Sequence, residues 1–139
     1  MNFLVIGSGA REHIIGEKLS QAGASVYSVI TNSNPGLISL SKKILPITNF
    51  RNSERKILDF SVQNKIDCVV IGPEDPLAQG FSDMFWKKDI PVVGPLKILA
   101  QIETSKGFTR DLLSKCNIEY VYEPEENKIV IFPNEQNSS

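Results

Sequence analysis

Short apolar runs alternate along this chain with longer segments of helical periodicity. The runs lie at residues 3–6, 26–31, 44–48, 68–71 and 92–93, and several of them end at glycine or at a polar turn. Such runs are typical of strands that are buried on both faces of a parallel sheet. Between them, apolar residues recur at spacings of three and four, which predicts helices at 10–22, 37–40, 53–62, 77–88, 96–102 and 105–116.

This alternation predicts an α/β fold with a doubly wound, mostly parallel sheet and right-handed crossovers. Residues 118–122 and 128–132 can pair as a small C-terminal hairpin across an acidic loop. We therefore expect an α/β domain over residues 1–117, the possible hairpin over 118–132 and a frayed polar tail over 133–139.

Three glycine- or proline-rich loops follow the first, second and fourth predicted strands, at residues 7–9, 31–36 and 72–76. In doubly wound sheets, ligands bind outside the carboxyl ends of the strands. The three loops are therefore expected to converge on one crevice.

The first loop, Gly7, Ser8 and Gly9, follows a strand and opens a helix, so free N–H groups and the positive helix end should face the crevice. A dinucleotide fingerprint needs a third glycine where this chain has Glu12, and an acid after the second strand. From residue 18 to residue 55 the sole acid is Glu54. The loop thus favours a phosphate over NAD, although a tight turn without a ligand is the alternative.

Arg11 opposes the helix dipole at a cost of up to about 1 kcal/mol, which is reasonable beside a bound anion. The alternative is a solvated Arg11 next to an exposed Glu12. His13 lacks an accompanying nucleophile, so we expect its ring to hydrogen-bond the loop or a core carbonyl in preference to catalysis.

The second loop offers uncharged polar groups at Asn34 and Gly36, which suit a phosphate or a sugar hydroxyl, but a plain Asn-Pro-Gly turn is an equal alternative. In the third loop two carboxylates lie between prolines. A rigid carboxylate can accept two hydrogen bonds from adjacent ribose hydroxyls. We assign that role to Glu74 and assign Asp75 to capping the next helix.

Composition narrows the classes of function. The net charge of −1 shows no basic excess, so we expect neither nucleic acid nor a membrane as partner. No apolar stretch approaches the roughly 20 residues of a membrane span, and no signal sequence is apparent, which predicts a cytoplasmic protein. Cys68 and Cys116 have no metal-binding spacing, so we expect two unpaired thiols and no metal site.

Four motifs occur in order and together resemble one family, glycinamide ribonucleotide synthetase (phosphoribosylamine–glycine ligase) of the ATP-grasp superfamily. They are Gly7-Ser8-Gly9-Ala10-Arg11-Glu12-His13, Asn34-Pro35-Gly36, Gly72-Pro73-Glu74-Asp75-Pro76-Leu77, and Gly94-Pro95 with the later Glu103-Thr104-Ser105-Lys106. The likeness covers residues 3–113 and fades beyond them. It implies a Rossmann-like domain that precedes the ATP-grasp lobes.

The resemblance also implies a reaction: ATP and magnesium join phosphoribosylamine to glycine through a glycyl phosphate. Residues 7–11, including Ala10, and the turn at Asn34 and Gly36 are then expected to face the ribose phosphate, with Glu74 and Asp75 near the ribose. Lys106 matches a lysine that reaches the ATP phosphates. No residue of this chain is expected to be catalytic.

The sequence contains no ATP-grasp lobes, and residues 118–132 can also be the entry to them. We therefore expect the chain to bind no ATP or magnesium tightly and to be inactive alone. One form of this expectation has a separate ATP-grasp chain as partner. Such a partner predicts an exposed apolar patch at Phe108, Leu112 and Leu113. The alternative is a stand-alone module that binds a phosphoribosyl compound or a nucleotide.

Overall fold

The structure is a computed structural model and describes residues 1–118, 120–123 and 128–131. Strands and helices alternate through the first hundred residues and a hairpin follows two further helices. In chain order the elements are β1 (Asn2–Ile6), α1 (Ala10–Gln21), β2 (Ser25–Ile30), α2 (Pro35–Leu40), β3 (Lys43–Pro46), α3 (Glu54–Gln63), β4 (Cys68–Ile71), α4 (Glu74–Gln79), α5 (Phe81–Trp86), β5 (Val92–Val93), α6 (Lys97–Thr104), α7 (Lys106–Lys115), β6 (Tyr120–Glu123) and β7 (Lys128–Ile131).

The first five strands form one sheet in the order β3-β2-β1-β4-β5, and every neighbouring pair in it is parallel. The chain runs outward from β1 to β3, then returns to the other side of β1 with β4. This reversal places a topological switch point between β1 and β4, where a crevice opens at the carboxyl ends. The predicted α/β class and doubly wound sheet are confirmed.

The centre of the sheet is buried on both faces, because β1 and β4 contain apolar runs without polar alternation, at residues 3–6 and 68–71. Leu4, Val5 and Ile6 are fully buried, and Phe81 and Phe85 of α5 pack into the same core. The two edge strands are short, and β3 ends at Pro46. Short edges and proline reduce pairing with other chains.

Several local predictions are wrong in detail. The predicted helix at 77–88 begins at Glu74 and is interrupted at Gly80, whose φ of 89° and ψ of 27° are left-handed and separate α4 from α5. Asp75 does not cap α4, since the cap position is Pro73 and no side chain bonds there. The helix predicted at 53–62 is α3, Glu54–Gln63; Ser53 is its cap residue, and the Ser53 hydroxyl donates to the Asn49 carbonyl at 2.8 Å without bonding the helix.

The chain divides into two compact units, Met1–Ala100 and Gln101–Ser139, whereas the sequence predicts the end of the α/β domain at residue 117. In the second unit β6 and β7 are antiparallel, which confirms the predicted hairpin. The predicted tail at 133–139 lies outside the described residues. Leu113 is buried, and Phe108 and Leu112 are half-buried, so the expected apolar patch is not exposed at these positions.

In the part of the chain that the structure describes, no helix is both long and apolar enough to cross a bilayer. Cys68 is half-buried and Cys116 is exposed, and both are free thiols. Burial raises the pKa of the Cys68 thiol, a backbone hydrogen bond with Val69 lowers it by less, and the nearby Asp67 charge raises it further.

Candidate functional site

A cleft of about 320 Å³ opens at the carboxyl ends of β1, β2 and β4. Each of these strands contributes the residues that directly follow it. The lining is Ser8, Gly9, Arg11, Glu12, Thr31, Asn32, Phe50 and Pro73. The structure thus brings residues from all three predicted loops to one crevice.

Ser8 connects the loop after β1 to the end of β2. Its Oγ accepts hydrogen bonds from the Thr31 N–H at 2.8 Å and the Asn32 N–H at 3.2 Å, and lies 3.4 Å from the Thr31 hydroxyl. One hydroxyl therefore satisfies two backbone groups that the sheet leaves unpaired where β2 ends. Ser8 fixes one wall of the cleft.

Asn34 holds the first loop against the second. Its Nδ2 donates to the carbonyl oxygens of Ser8 at 3.1 Å and Gly9 at 3.2 Å, while its Oδ1 accepts from the Leu37 N–H at 3.0 Å and caps α2. Both polar atoms of its side chain have partners within the protein, and Asn34 does not line the cleft. The structure places Asn34 as a support of the glycine loop.

Glu12 is the principal residue that the sequence interpretation misplaced, since the expectation of an exposed Glu12 is wrong. Its side chain is 5% exposed, and its Oε2 accepts the Gly9 N–H at 2.6 Å. A Cβ added to Gly7 would lie 2.7 Å from Glu12 Cγ, and one added to Gly72 would also collide with this side chain. Glu12 therefore fills the gap between the glycines that follow β1 and β4.

Arg11 carries the positive charge among the residues that line the cleft. Its side chain is 66% exposed, and its Nε lies 3.6 Å from Glu12 Oε1. At the start of α1, the N–H groups of Ala10 and Arg11 make no hydrogen bond to any described residue. Unpaired N–H groups and the helix dipole favour an anion at such a position.

His13 packs over Gly36, and its ring makes no hydrogen bond to a described residue, so the predicted bond to the loop or a core carbonyl is absent from this part of the chain. A Cβ on Gly36 would fall inside the space of the imidazole. Gly36 is therefore required as glycine by packing at the junction of α1 and α2. It does not line the cleft.

Glu74 and Asp75 are exposed in the first turn of α4, directly after Pro73, but neither lines the cleft. Lys106 begins α7 in the second unit. Phe50, which the sequence interpretation did not select, lines the cleft and packs edge-to-face on Phe81, with ring centroids 6.0 Å apart. It lies in an irregular segment between β3 and α3, where neither helical nor strand periodicity marks it.

Within the described residues, no group of three or more His, Cys, Asp or Glu side chains is arranged to hold a metal ion. Apart from the Glu12 carboxylate, whose Oε2 is bonded to the Gly9 N–H, the described lining of the cleft offers backbone N–H groups, two hydroxyls, one amide and one guanidinium. Groups of these kinds can bind an oxyanion by hydrogen bonds and charge.

The fold and the cleft define a class: a doubly wound α/β domain with a cleft lined by hydrogen-bonding groups at its switch point. Solved structures with the same fold include phosphoribosylglycinamide synthetase from Anaerococcus prevotii, with a TM-score of 0.66 and 16% identity, covering 90% of this chain and 32% of that one. N5-carboxyaminoimidazole ribonucleotide synthetase from Thermotoga maritima has a TM-score of 0.65 and 14% identity, covering 98% of this chain and 42% of that one.

The family model "Phosphoribosylglycinamide synthetase, N domain" matches residues 1–103, and the chain belongs to this family. It is 42% identical over 121 residues to a phosphoribosylamine–glycine ligase of Methanococcus vannielii, covering 85% of this chain and 26% of the relative. A ligase of the same name from Pyrococcus abyssi is 37% identical over 118 residues, with coverage of 85% and 26%. The chain thus spans about a quarter of the length of these relatives.

Proposed function

We propose that this chain is the phosphoribosylamine-binding part of a phosphoribosylamine–glycine ligase in de novo purine biosynthesis. In that reaction ATP activates glycine, and the amine of phosphoribosylamine attacks the activated carboxyl to give glycinamide ribonucleotide. The ribose phosphate would lie in the cleft, and the amine would face the region that supplies ATP and glycine.

The observation that carries this proposal is the set of donors at the start of α1. The N–H groups of Ala10 and Arg11 lack described partners, and Arg11 adds an exposed guanidinium at the same end of the helix. A phosphate monoester has oxygens enough to accept from all of them. The second-loop residues Asn34 and Gly36 would act by holding this loop in place.

Glu74 and Asp75 would meet the sugar outside the cleft. Both are exposed and follow Pro73, which forms part of the cleft wall. A ribose attached to a phosphate in the cleft would extend past Pro73 toward these carboxylates. Glu74 would then accept hydrogen bonds from ribose hydroxyls, which fixes the orientation of the reacting amine.

ATP and magnesium would be bound outside this chain for the most part, by a polypeptide region equivalent to the other three quarters of the relatives. Lys106 would extend from the start of α7 toward the ATP phosphates once that region is present. On this proposal the chain alone binds neither ATP nor magnesium tightly and makes no product.

A stand-alone phosphoribosyl-binding module is the second candidate, because every residue that lines the cleft lies within the first unit. Ligand binding then needs no other polypeptide. The two candidates differ in activity: glycinamide ribonucleotide should form when the chain is mixed with the complementary region of the Methanococcus vannielii ligase. A module alone gives binding without product.

The test of the site is thermal unfolding with glycinamide ribonucleotide, the stable product, and with ATP and NAD as controls. Ligand at about 100 times its Kd should stabilise the chain by roughly 2.7 kcal/mol, a shift of several degrees. Arg11→Ala and Glu74→Ala should each reduce this shift by more than half, whereas Arg55→Ala, an exposed arginine on α3, should not. A full shift in both Arg11→Ala and Glu74→Ala would contradict the assigned site.

A further inference from the structure

Glu12 presents a physical conflict, because a buried carboxylate lies within a cleft whose other groups suit an anion. Its side chain is only 5% exposed and its one charged neighbour among the described ion pairs is Arg11, at 3.6 Å. Burial of a carboxylate is costly unless its oxygens have partners. The residue therefore needs an explanation beyond filling space.

The first part of the explanation is the Gly9 N–H. In a dinucleotide site, the second glycine of the loop lets the diphosphate approach the backbone. Here that N–H donates to Glu12 Oε2 at 2.6 Å. A charge-assisted bond of this length is strong, so a ligand phosphate competes for Gly9 at a disadvantage.

The second part is the space between the two glycine turns. In the dinucleotide fingerprint the third glycine allows the helix to pack closely on the strands. Residue 12 takes that position, and its Cγ lies 2.7 Å from where a Cβ of Gly7 would be. The Gly72 N–H is already bonded to the Ile6 carbonyl at 3.1 Å. The floor of the switch point is thus occupied by a side chain.

The third part is charge. Within the lining, Arg11 offers one positive charge and Glu12 one negative charge. A single phosphate at the N–H groups of Ala10 and Arg11 lies beside the guanidinium and the helix dipole. A second phosphate of a diphosphate would have to lie toward Gly9 and the Glu12 carboxylate, where like charges repel.

We propose that Glu12 is a specificity-determining residue: it occupies the Gly9 N–H and the gap between Gly7 and Gly72, so that the cleft accepts a monophosphate and rejects a diphosphate. The inference rests on the proposed phosphate site. It adds a selection against nucleotide cofactors by an anionic side chain of the protein itself.

The experiment compares two probes by isothermal titration calorimetry on the full chain: ribose 5-phosphate with one phosphate, and ADP-ribose with a diphosphate. Glu12→Gln keeps the shape and an acceptor oxygen for Gly9 but removes the charge. We expect wild type to prefer ribose 5-phosphate by at least tenfold and Glu12→Gln to lose at least tenfold of that preference. Glu17→Gln, the same change further along α1, should leave the preference unchanged.

The ratio of the two affinities distinguishes a change in specificity from a general loss of folded protein, because such a loss weakens the binding of both probes equally. An unchanged preference in Glu12→Gln would overturn the inference while leaving the proposed function intact. If wild type does not bind ribose 5-phosphate, the proposed function fails and the inference fails with it.

A measurement on wild type covers the case in which Glu12→Gln does not fold. In amide NMR spectra, ribose 5-phosphate should move the Ala10 and Arg11 resonances more than that of Gly9, because the Gly9 N–H stays on Glu12. A larger movement of Gly9 than of both neighbours would refute the assignment.

Discussion

At the residue scale, the contact between His13 and Gly36 packs α1 against α2. The imidazole occupies the position where a Cβ of residue 36 would be. Asn34, two residues earlier, bonds both the glycine loop and the start of α2. A displaced His13 would therefore disturb the loop that forms the cleft.

Gly36→Ala should lower the free energy of unfolding by about 1–3 kcal/mol, the usual cost of overpacking. The matched control is Gly107→Ala, at the second position of α7 as Gly36 is of α2. Beyond its chain neighbours and its own helix, no atom of a described residue lies within 4 Å of a Cβ at Gly107, so alanine should stabilise the helix by about 0.5–1 kcal/mol. Denaturant titration measures the free energy of unfolding of both variants. If Gly36→Ala proves as stable as Gly107→Ala, the contact between His13 and Gly36 is disproved.

At the residue scale the sequence predicted which loops meet, but not which side chain fills the space among them. The motif makes Glu12 visible only as a missing third glycine. Its burial depends on Gly72, sixty residues later, since both Gly7 and Gly72 leave room for the carboxylate. A pattern read along one helix cannot reveal a cavity that two distant glycines create.

At the scale of elements, the ends of the helices are the part of the fold that the sequence predicts least accurately. The stripe of Phe81, Met84 and Phe85 has continuous helical spacing, so one helix over 77–88 was expected. Gly80 takes the left-handed conformation and ends α4. Beyond the break, Asp83 Oδ2 accepts the N–H of Lys97, the first residue of α6, at 2.8 Å. That long-range bond has no local signature.

Lys65, which follows the cap of α3, has a φ of 50° although it is not glycine. A left-handed residue with a Cβ costs roughly 1–2 kcal/mol. Lys65→Gly should therefore raise the free energy of unfolding by about 0.5–1 kcal/mol, the greater chain entropy of unfolded glycine offsetting part of the gain. Thermal melts by circular dichroism should show a higher Tm.

The control is Lys56→Gly, at an exposed position within α3, where glycine should lower the free energy of unfolding by about 1 kcal/mol. The two variants should therefore change Tm in opposite directions, which tests the position of the end of α3. A lower Tm in Lys65→Gly would show that the Lys65 side chain contributes more than its backbone strain costs.

At the scale of the whole molecule, the alternation of strands and helices was sufficient to predict the parallel sheet and its crevice. The doubly wound class includes a reversal of direction that covers both faces of β1 and β4, but the strand order itself is a finding of the structure. The division at Ala100 was not predicted, since α6 continues the helical pattern across it without a glycine or a proline.

The first unit contains a complete core of its own, which makes it a candidate for independent folding. Every member of the buried hydrophobic cluster lies between Leu4 and Ala100, and the matching family model ends at residue 103. We therefore expect a chain of residues 1–104, which ends with α6, to unfold cooperatively with a Tm within about 5 °C of the full chain. For a domain of this size that range corresponds to roughly 1 kcal/mol.

The control for this prediction is a chain of residues 1–80, which lacks Phe81 and Phe85. Removing one buried phenylalanine costs about 3–5 kcal/mol, and the whole domain has only about 5–15 kcal/mol of stability. The shorter chain should therefore show no cooperative melt by circular dichroism. If residues 1–104 also fail to melt cooperatively, the core of the first unit depends on residues beyond 104, and the cleft must be studied in the full chain.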